Sequence, residues 1–264
     1  MTFVAIGGAE EKQGEMTVLR RLLSESPHGN NSRICIITTA TAEPEKARAK
    51  YEAAFAALDI PPDHLDIRHV STRADANNDE TVAAIRNADI VFLSGGDQLR
   101  ITSIFGATAS LRALREGHEA GQILGGTSAG AAAASSLMVY GGRPEQGLEK
   151  GHVLFTAGLG FADGVIFDTH FSQSKRLSRL FNAVSTNPDI IGVGLDEDTA
   201  VIVRPNGVLE VIGSQTVTIV DGSTITSSNI TSIDRGQEIK TEGITVHTLH
   251  SGQKYSLKSR QITP

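Results

Sequence analysis

Ile123-Leu124-Gly125-Gly126-Thr127-Ser128-Ala129-Gly130-Ala131 is the stretch on which the rest of the chain turns. An apolar pair leads into it, and the alanines at 131–134 lead out into helical sequence. Its centre, Gly126 to Gly130, has the form G-x-S-x-G, a short strand bending sharply into a helix. Small residues suit that bend because its backbone is crowded and strained, and the middle side chain is left exposed. Ser128 is therefore a candidate nucleophile. The Ala129 N–H, at the start of the following helix, is a candidate oxyanion donor, aided by the helix dipole.

Upstream, apolar strands alternate with helical spacing. Phe3 to Ile6, Arg33 to Thr38, Leu65 to Val70 and Ile90 to Leu93 read as buried strands. Between them Met16, Leu19 and Leu23 share a helix face, and 44–58, 81–87 and 99–120 read as helical, with Pro44 suited to a first turn. This alternation predicts an α/β fold with a mainly parallel sheet, whose carboxyl edge is where ligands sit. Gly95-Gly96 falls on that edge, and the Gly96 N–H is a second candidate oxyanion donor. Gly7-Gly8 ends the first strand in a turn, without the G-x-G-x-x-G of a dinucleotide site.

Downstream, Gly141 to Gly147 reads as a loop at the rim. Val165 to His170 is a strand with polar residues at its end, and its alternation places Asp168 and His170 on one face. Leu177, Leu180, Phe181 and Val184 form a helical stripe flanked by Arg176 and Arg179, which alone would read as a solvated face. Ile190 to Leu195 is a further strand, ending at Asp196-Glu197-Asp198. The remainder, Thr199 to Leu249, reads as antiparallel hairpins extending the edge of the main sheet, so 1–264 is expected to be one domain.

The 264 residues carry a net charge of −6, which lacks the basic footprint of a nucleic-acid binder. A single cysteine, Cys35, excludes an internal disulfide and reads as buried packing in a cytoplasmic protein. No apolar run is long enough to span a membrane, and the first residues read as a strand rather than a signal peptide.

A serine needs a base, and the base an orienter. Of eight histidines, His28, His64, His69 and His118 have ordinary surface surroundings, His152 follows a glycine turn, and His247 and His250 fall in the late hairpins. His170 alone ends a strand among small and polar residues. Glu197, at the same edge, is the expected orienter, with Glu145 the alternative. The order Ser, acid, His of α/β-hydrolases would instead pair Glu197 or Asp196 with His247 or His250, a weaker arrangement. The acids at 196–198 lack calcium-loop spacing and have no paired histidine for zinc, so neither metal nor cofactor is expected.

The segments Gly7-Gly8-Ala9-Glu10, Ser94 to Gln98, Gly126 to Ala131, Asp168 to Gln173, Arg176-Leu177 with Arg179-Leu180, and Gly192 to Ala200 together resemble the motifs of the cyanophycinase family, in order across most of the chain. That family groups with peptidase E-like serine peptidases. The resemblance implies a three-layer α/β/α fold similar to class I glutamine amidotransferase domains, and a Ser-His-Glu triad of Ser128, His170 and Glu197. It also implies substrate contacts from Gln98, Asp168, Arg176 and Arg179, and a cytoplasmic homodimer. The implied substrate is cyanophycin, polyaspartate bearing arginine on its side chains, released as β-Asp-Arg dipeptides by an exopeptidase forming an acyl-enzyme. Attack by Ser128 is expected at the β-linked aspartyl carbonyl. Ser174 stands where the family uses an arginine, a departure that bears on the exact substrate more than on the chemistry; the alternatives are a dipeptidase for aspartyl or isoaspartyl peptides and a non-catalytic binding protein.

Overall fold

The computed structural model describes residues 1–263. Five parallel strands lie side by side in the order β3 (Leu65–Arg68), β2 (Ile34–Ile37), β4 (Ile90–Leu93), β5 (Ile123–Thr127) and β1 (Phe3–Ile6). Four of these five are wholly buried, because both faces are covered, which is why they read as continuous apolar runs. β1 pairs parallel with β5 on one side and antiparallel with β10 (Thr199–Val203) on the other. From β10 the sheet continues through β11 (Val208–Gly213), β16 (Lys254–Ser256) and β17 (Gln261–Thr263), making nine strands.

Helices α1 (Thr17–Ser24) and α2 (Pro44–Ala56) cover one face, packing Leu19, Leu22 and Phe55 on Val4, Ile36 and Phe92. The other face receives α3 (Asp79–Arg86), α4 (Gln98–Phe105), α5 (Ala109–Glu119) and α6 (Ala129–Ala134). The helical material before Ser128 is thus two helices, parted at Gly106 to Thr108, where the Thr108 hydroxyl caps α5 by accepting from the Leu111 N–H.

The strands after the elbow depart from expectation. β8 (Val165–Thr169) and β9 (Ile191–Leu195) do not join the nine-stranded sheet. They pair parallel with each other, and β9 pairs with β12 (Val217–Asp221), which pairs with β15 (Thr245–Leu249). The late antiparallel strands are thereby divided: β10, β11, β16 and β17 extend the main sheet, while β12 and β15 build a second one. The physical reason lies in which apolar side chains can be covered. Phe167, Val193 and Ile219 of the second sheet pack into the same core as Ala5, Cys35 and Leu93, while Ile166 and Val220 on its other face are covered by Leu180 and Val184 of α7 (Leu177–Thr186). Two short pairs complete the strands, β6 (Leu137–Gly141) with β7 (Leu154–Ala157) and β13 (Ser227–Ser228) with β14 (Thr241–Glu242). No helix among the described residues is long and apolar enough to cross a membrane.

Cys35 is fully buried in β2, and burial pushes its thiol up to about 12. Since the thiolate is the reactive form, the folded protein is expected to give no colour with Ellman's reagent at pH 8, and one thiol per chain once denatured.

Candidate active site

Ser128 follows the last residue of β5 and precedes α6, with φ 51° and ψ −112°. That non-glycine left-handed backbone is the strain expected at such an elbow. The glycines on either side are required by close approach. A Cβ at Gly126 would lie 2.6 Å from the Gly130 backbone, and one at Gly130 would lie 2.2 Å from the Leu93 carbonyl oxygen of β4.

His170 lies one residue past β8, at φ 48°. The strand's pleat therefore does not extend to it, and the expected shared face with Asp168 does not hold: His170 faces Ser128 and Asp168 faces α7. The Ser128 Oγ is 2.9 Å from His170 Nε2, and His170 Nδ1 is 2.7 Å from Glu197 Oε1, Glu197 lying two residues past β9. An ionised carboxylate can only accept, so Nδ1 carries the ring proton and Nε2 accepts from the serine hydroxyl. Of the three neighbouring acids only Glu197 faces the ring. Asp196 accepts from the Ser172 N–H and the Thr216 hydroxyl, and Asp198 from the Glu11 N–H and the Ser214 hydroxyl.

The three groups come from two sheets, and main-chain bonds to the end of β1 bring them together. The Ser128 N–H donates to the Ile6 carbonyl at 2.9 Å, the His170 N–H to Gly7 at 2.8 Å, and the Asp198 N–H to Gly8 at 2.9 Å. Reading Gly7-Gly8 as a strand-ending turn missed this. Its traces in the sequence are a glycine pair at a strand end facing the functional edge and the place of that pair among the segments resembling the family's motifs.

Ser128 and His170 open into a cleft of ≈ 310 Å³ at the carboxyl ends of β1, β2, β4 and β5, walled by α2. Ser94, Gly95 and Gly96 line it, and the N–H groups of Gly96 and Ala129 have no acceptor among the described residues. Glu10, 4% exposed, lies in its wall. One carboxylate oxygen accepts from the Thr127 hydroxyl at 2.5 Å, the other from Lys12 at 2.8 Å and the Tyr51 hydroxyl at 3.3 Å. Burial, and then the Glu10 carboxylate, hold the Tyr51 hydroxyl well above its ordinary range, so it stays a donor. Sequence reading assigned nothing to Glu10, Lys12 or Tyr51.

Gln98, Asp168, Arg176 and Arg179 are not among the residues lining this cleft. The Gln98 amide donates to the Val139 carbonyl at 3.0 Å. Asp168 is 1% exposed, and Arg179 meets both its oxygens, through Nε at 2.6 Å and through Nη2. Arg176 reaches Asp168 at 3.5 Å and the Thr169 carbonyl, next to His170, at 2.5 Å. Burial, and then the Arg179 charge, lower the Arg176 guanidinium from its ordinary value. The α7 stripe is rotated from the expected one, leaving Leu177 42% exposed and Arg179 buried. Asp168→Asn would leave Arg179 buried beside a neutral amide, and is expected to cost about 3–5 kcal/mol in chemical denaturation. Among the described residues, no three His, Cys, Asp or Glu side chains are grouped to hold a metal.

The model of peptidase family S51 matches residues 3–211. The chain belongs to that family. Cyanophycinase from Synechococcus elongatus is 35% identical over 260 residues, 98% of this chain and 80% of that protein. Cyanophycinase from a Nostoc species is 31% identical over 262 residues, covering 99% and 87%. The crystal structure of a peptidase from an acI-B1 Actinobacterium superposes with a TM-score of 0.73 at 21% identity, over 97% of this chain and 96% of that one, and shows the same fold. This S51 member is a serine-type peptidase, a hydrolase of mixed α/β architecture.

Proposed function

We propose that this S51 peptidase degrades cyanophycin to β-Asp-Arg dipeptides with Ser128 as nucleophile, His170 as base and Glu197 as its orienter, residues 1–264 acting as one peptidase domain. The observation that carries the reading is the hydrogen-bonded series from Ser128 through His170 to Glu197 at the mouth of the cleft. Kinship with cyanophycinases along nearly the whole chain supports the substrate.

Atom balance corrects the expected point of attack. Cleaving the β-linked amide would free arginine, whereas β-Asp-Arg is released only if that amide survives and a main-chain amide between aspartates breaks. Ser128 Oγ therefore adds to a main-chain carbonyl as its proton passes to His170 Nε2. Glu197 accepts the Nδ1 proton's hydrogen bond and stabilises the imidazolium. The oxyanion takes the free N–H groups of Gly96 and Ala129. His170 then protonates the departing amine, leaving an acyl-enzyme, and water reverses the sequence to release the acid and restore Ser128.

Arg176 and Gln98 are read as substrate contacts; Arg179 grips both oxygens of Asp168, which fixes that carboxylate, and the carboxylate with the Thr169 carbonyl takes the Arg176 guanidinium. The resemblance supports a cytoplasmic homodimer acting from the chain end. Ser174, in place of the family's arginine, favours a second reading, a dipeptidase for isoaspartyl peptides.

Mass spectrometry of cyanophycin incubated with the protein and with Ser128→Ala tests this. β-Asp-Arg from the wild type alone supports the proposal. Intact polymer with cleaved isoaspartyl dipeptides moves the substrate to the second reading, and no cleavage of either by the wild type refutes both.

A further inference from the structure

The cleft is lined by more lysines than acids, and the mechanism above does not use them. Lys12, Lys46 and Lys50 all line it, in a chain whose net charge is −6. Lys46 and Lys50 stand one turn apart on α2, and Lys46 pairs with Glu43 at 3.1 Å. Lys50 has no ion-pair or hydrogen-bond partner among the described residues.

Lys12 is held where a mobile surface lysine would not be. Its ammonium donates to the buried Glu10 carboxylate at 2.8 Å and to the Glu10 carbonyl at 3.3 Å, and sits 5.2 Å from the centre of the Tyr51 ring. Two of its three protons are thus engaged inside the protein, and one is left for a ligand in the cleft that the side chain lines. The same Glu10 accepts from the hydroxyl of Thr127, the residue before Ser128, so the ammonium and the nucleophile's neighbour are held by one carboxylate. An ordered donor loses little freedom on meeting an anion, which gives binding an advantage that a free side chain lacks.

We propose that Lys12 and Lys50 form a carboxylate subsite in the Ser128 cleft, selecting substrates that carry a free carboxylate on the side chain of the residue at the scissile bond. This rests on Ser128 being the nucleophile. In a β-Asp-Arg unit the anion is the arginine's own α-carboxylate, which side-chain amide linkage leaves free. The lysines then seat the acidic part of each unit, and Glu43, neutralised by Lys46, does not repel it.

Titration calorimetry in the Ser128→Ala background tests the subsite without turnover, using β-aspartyl-arginine and β-aspartyl-argininamide, which lacks only the arginine carboxylate, as the two ligands. The free acid is expected to bind about tenfold more tightly than the amide, the worth of one charge-assisted hydrogen bond. Adding Lys50→Ala or Lys12→Met is expected to bring that ratio towards one while amide binding is unchanged. Lys50 makes no ion pair or hydrogen bond among the described residues, so its variant carries the test even where loss of the Lys12–Glu10 pair destabilises the fold. A ratio near one in Ser128→Ala, a ratio untouched by either lysine variant, or no binding of the free acid overturns the proposal. Failure of the cyanophycin reading shows separately, as absence of turnover by the wild type.

Discussion

His170→Ala is expected to lower kcat by roughly a millionfold, and Ser128→Ala introduced on top of it to cost almost nothing more. The two side chains share one proton transfer: the serine hydroxyl, 2.9 Å from Nε2, becomes a nucleophile only as the ring takes its proton. Removing either member leaves the other with no task, so the losses do not add. Glu197→Gln should fall short of that, at about 10⁴-fold, because the ring and serine remain. The amide preserves the contact at 2.7 Å but can present N–H to Nδ1, favouring the tautomer in which Nε2 cannot accept from Ser128. Steady-state rates on cyanophycin for the three single variants and the double one give the ordering. Near-normal turnover in Glu197→Gln would remove Glu197 from the relay.

The second large effect is expected at a residue with no functional group. A Cβ at Gly8 would lie 2.3 Å from His170 Cε1 and 2.4 Å from Nε2, on a backbone at φ +100°. Gly8→Ala therefore sets two demands. The backbone strain costs about 1–2 kcal/mol of stability. The steric conflict is relieved most cheaply by turning the imidazole away, since the ring is partly exposed and the Gly8 backbone is not free to move. A ring displaced by an ångström loses alignment with Ser128, and kcat is expected to fall at least about a hundredfold. Thermal melting should show a cooperative transition only a few degrees lower. Loss of rate with the fold intact separates this outcome from simple unfolding, and an active Gly8→Ala would show that the ring has room the geometry denies it.

Local sequence carried much of this architecture. The parallel half was legible because strands covered on both faces are apolar throughout, and the elbow because few residues other than glycine fit where two backbones nearly touch. His170 and Glu197 were legible as polar residues ending apolar strands. What sequence could not provide was the partnership of those strands. Phe167, Val193 and Ile219 would be equally well buried in a main sheet or in a second one, and only tertiary packing decides. The same limit applies to Arg179, whose burial depends on Asp168 lying opposite it, and to Lys12, whose fixed position depends on Tyr51 from a distant part of the chain as well as on its neighbour Glu10. Charge at such positions reads as solvated until its partner is known.

The carbonyls of Ile6, Gly7 and Gly8, which receive the N–H groups of Ser128, His170 and Asp198, are consecutive along one strand end. Peptide units have fixed bond lengths and planes, with successive Cα atoms 3.80 Å apart. The nucleophile, the base and the residue that follows the acid are thus spaced by covalent geometry, as marks on a ruler. The graduations themselves are set by main-chain atoms and carry no side-chain identity, provided this tripeptide keeps its course.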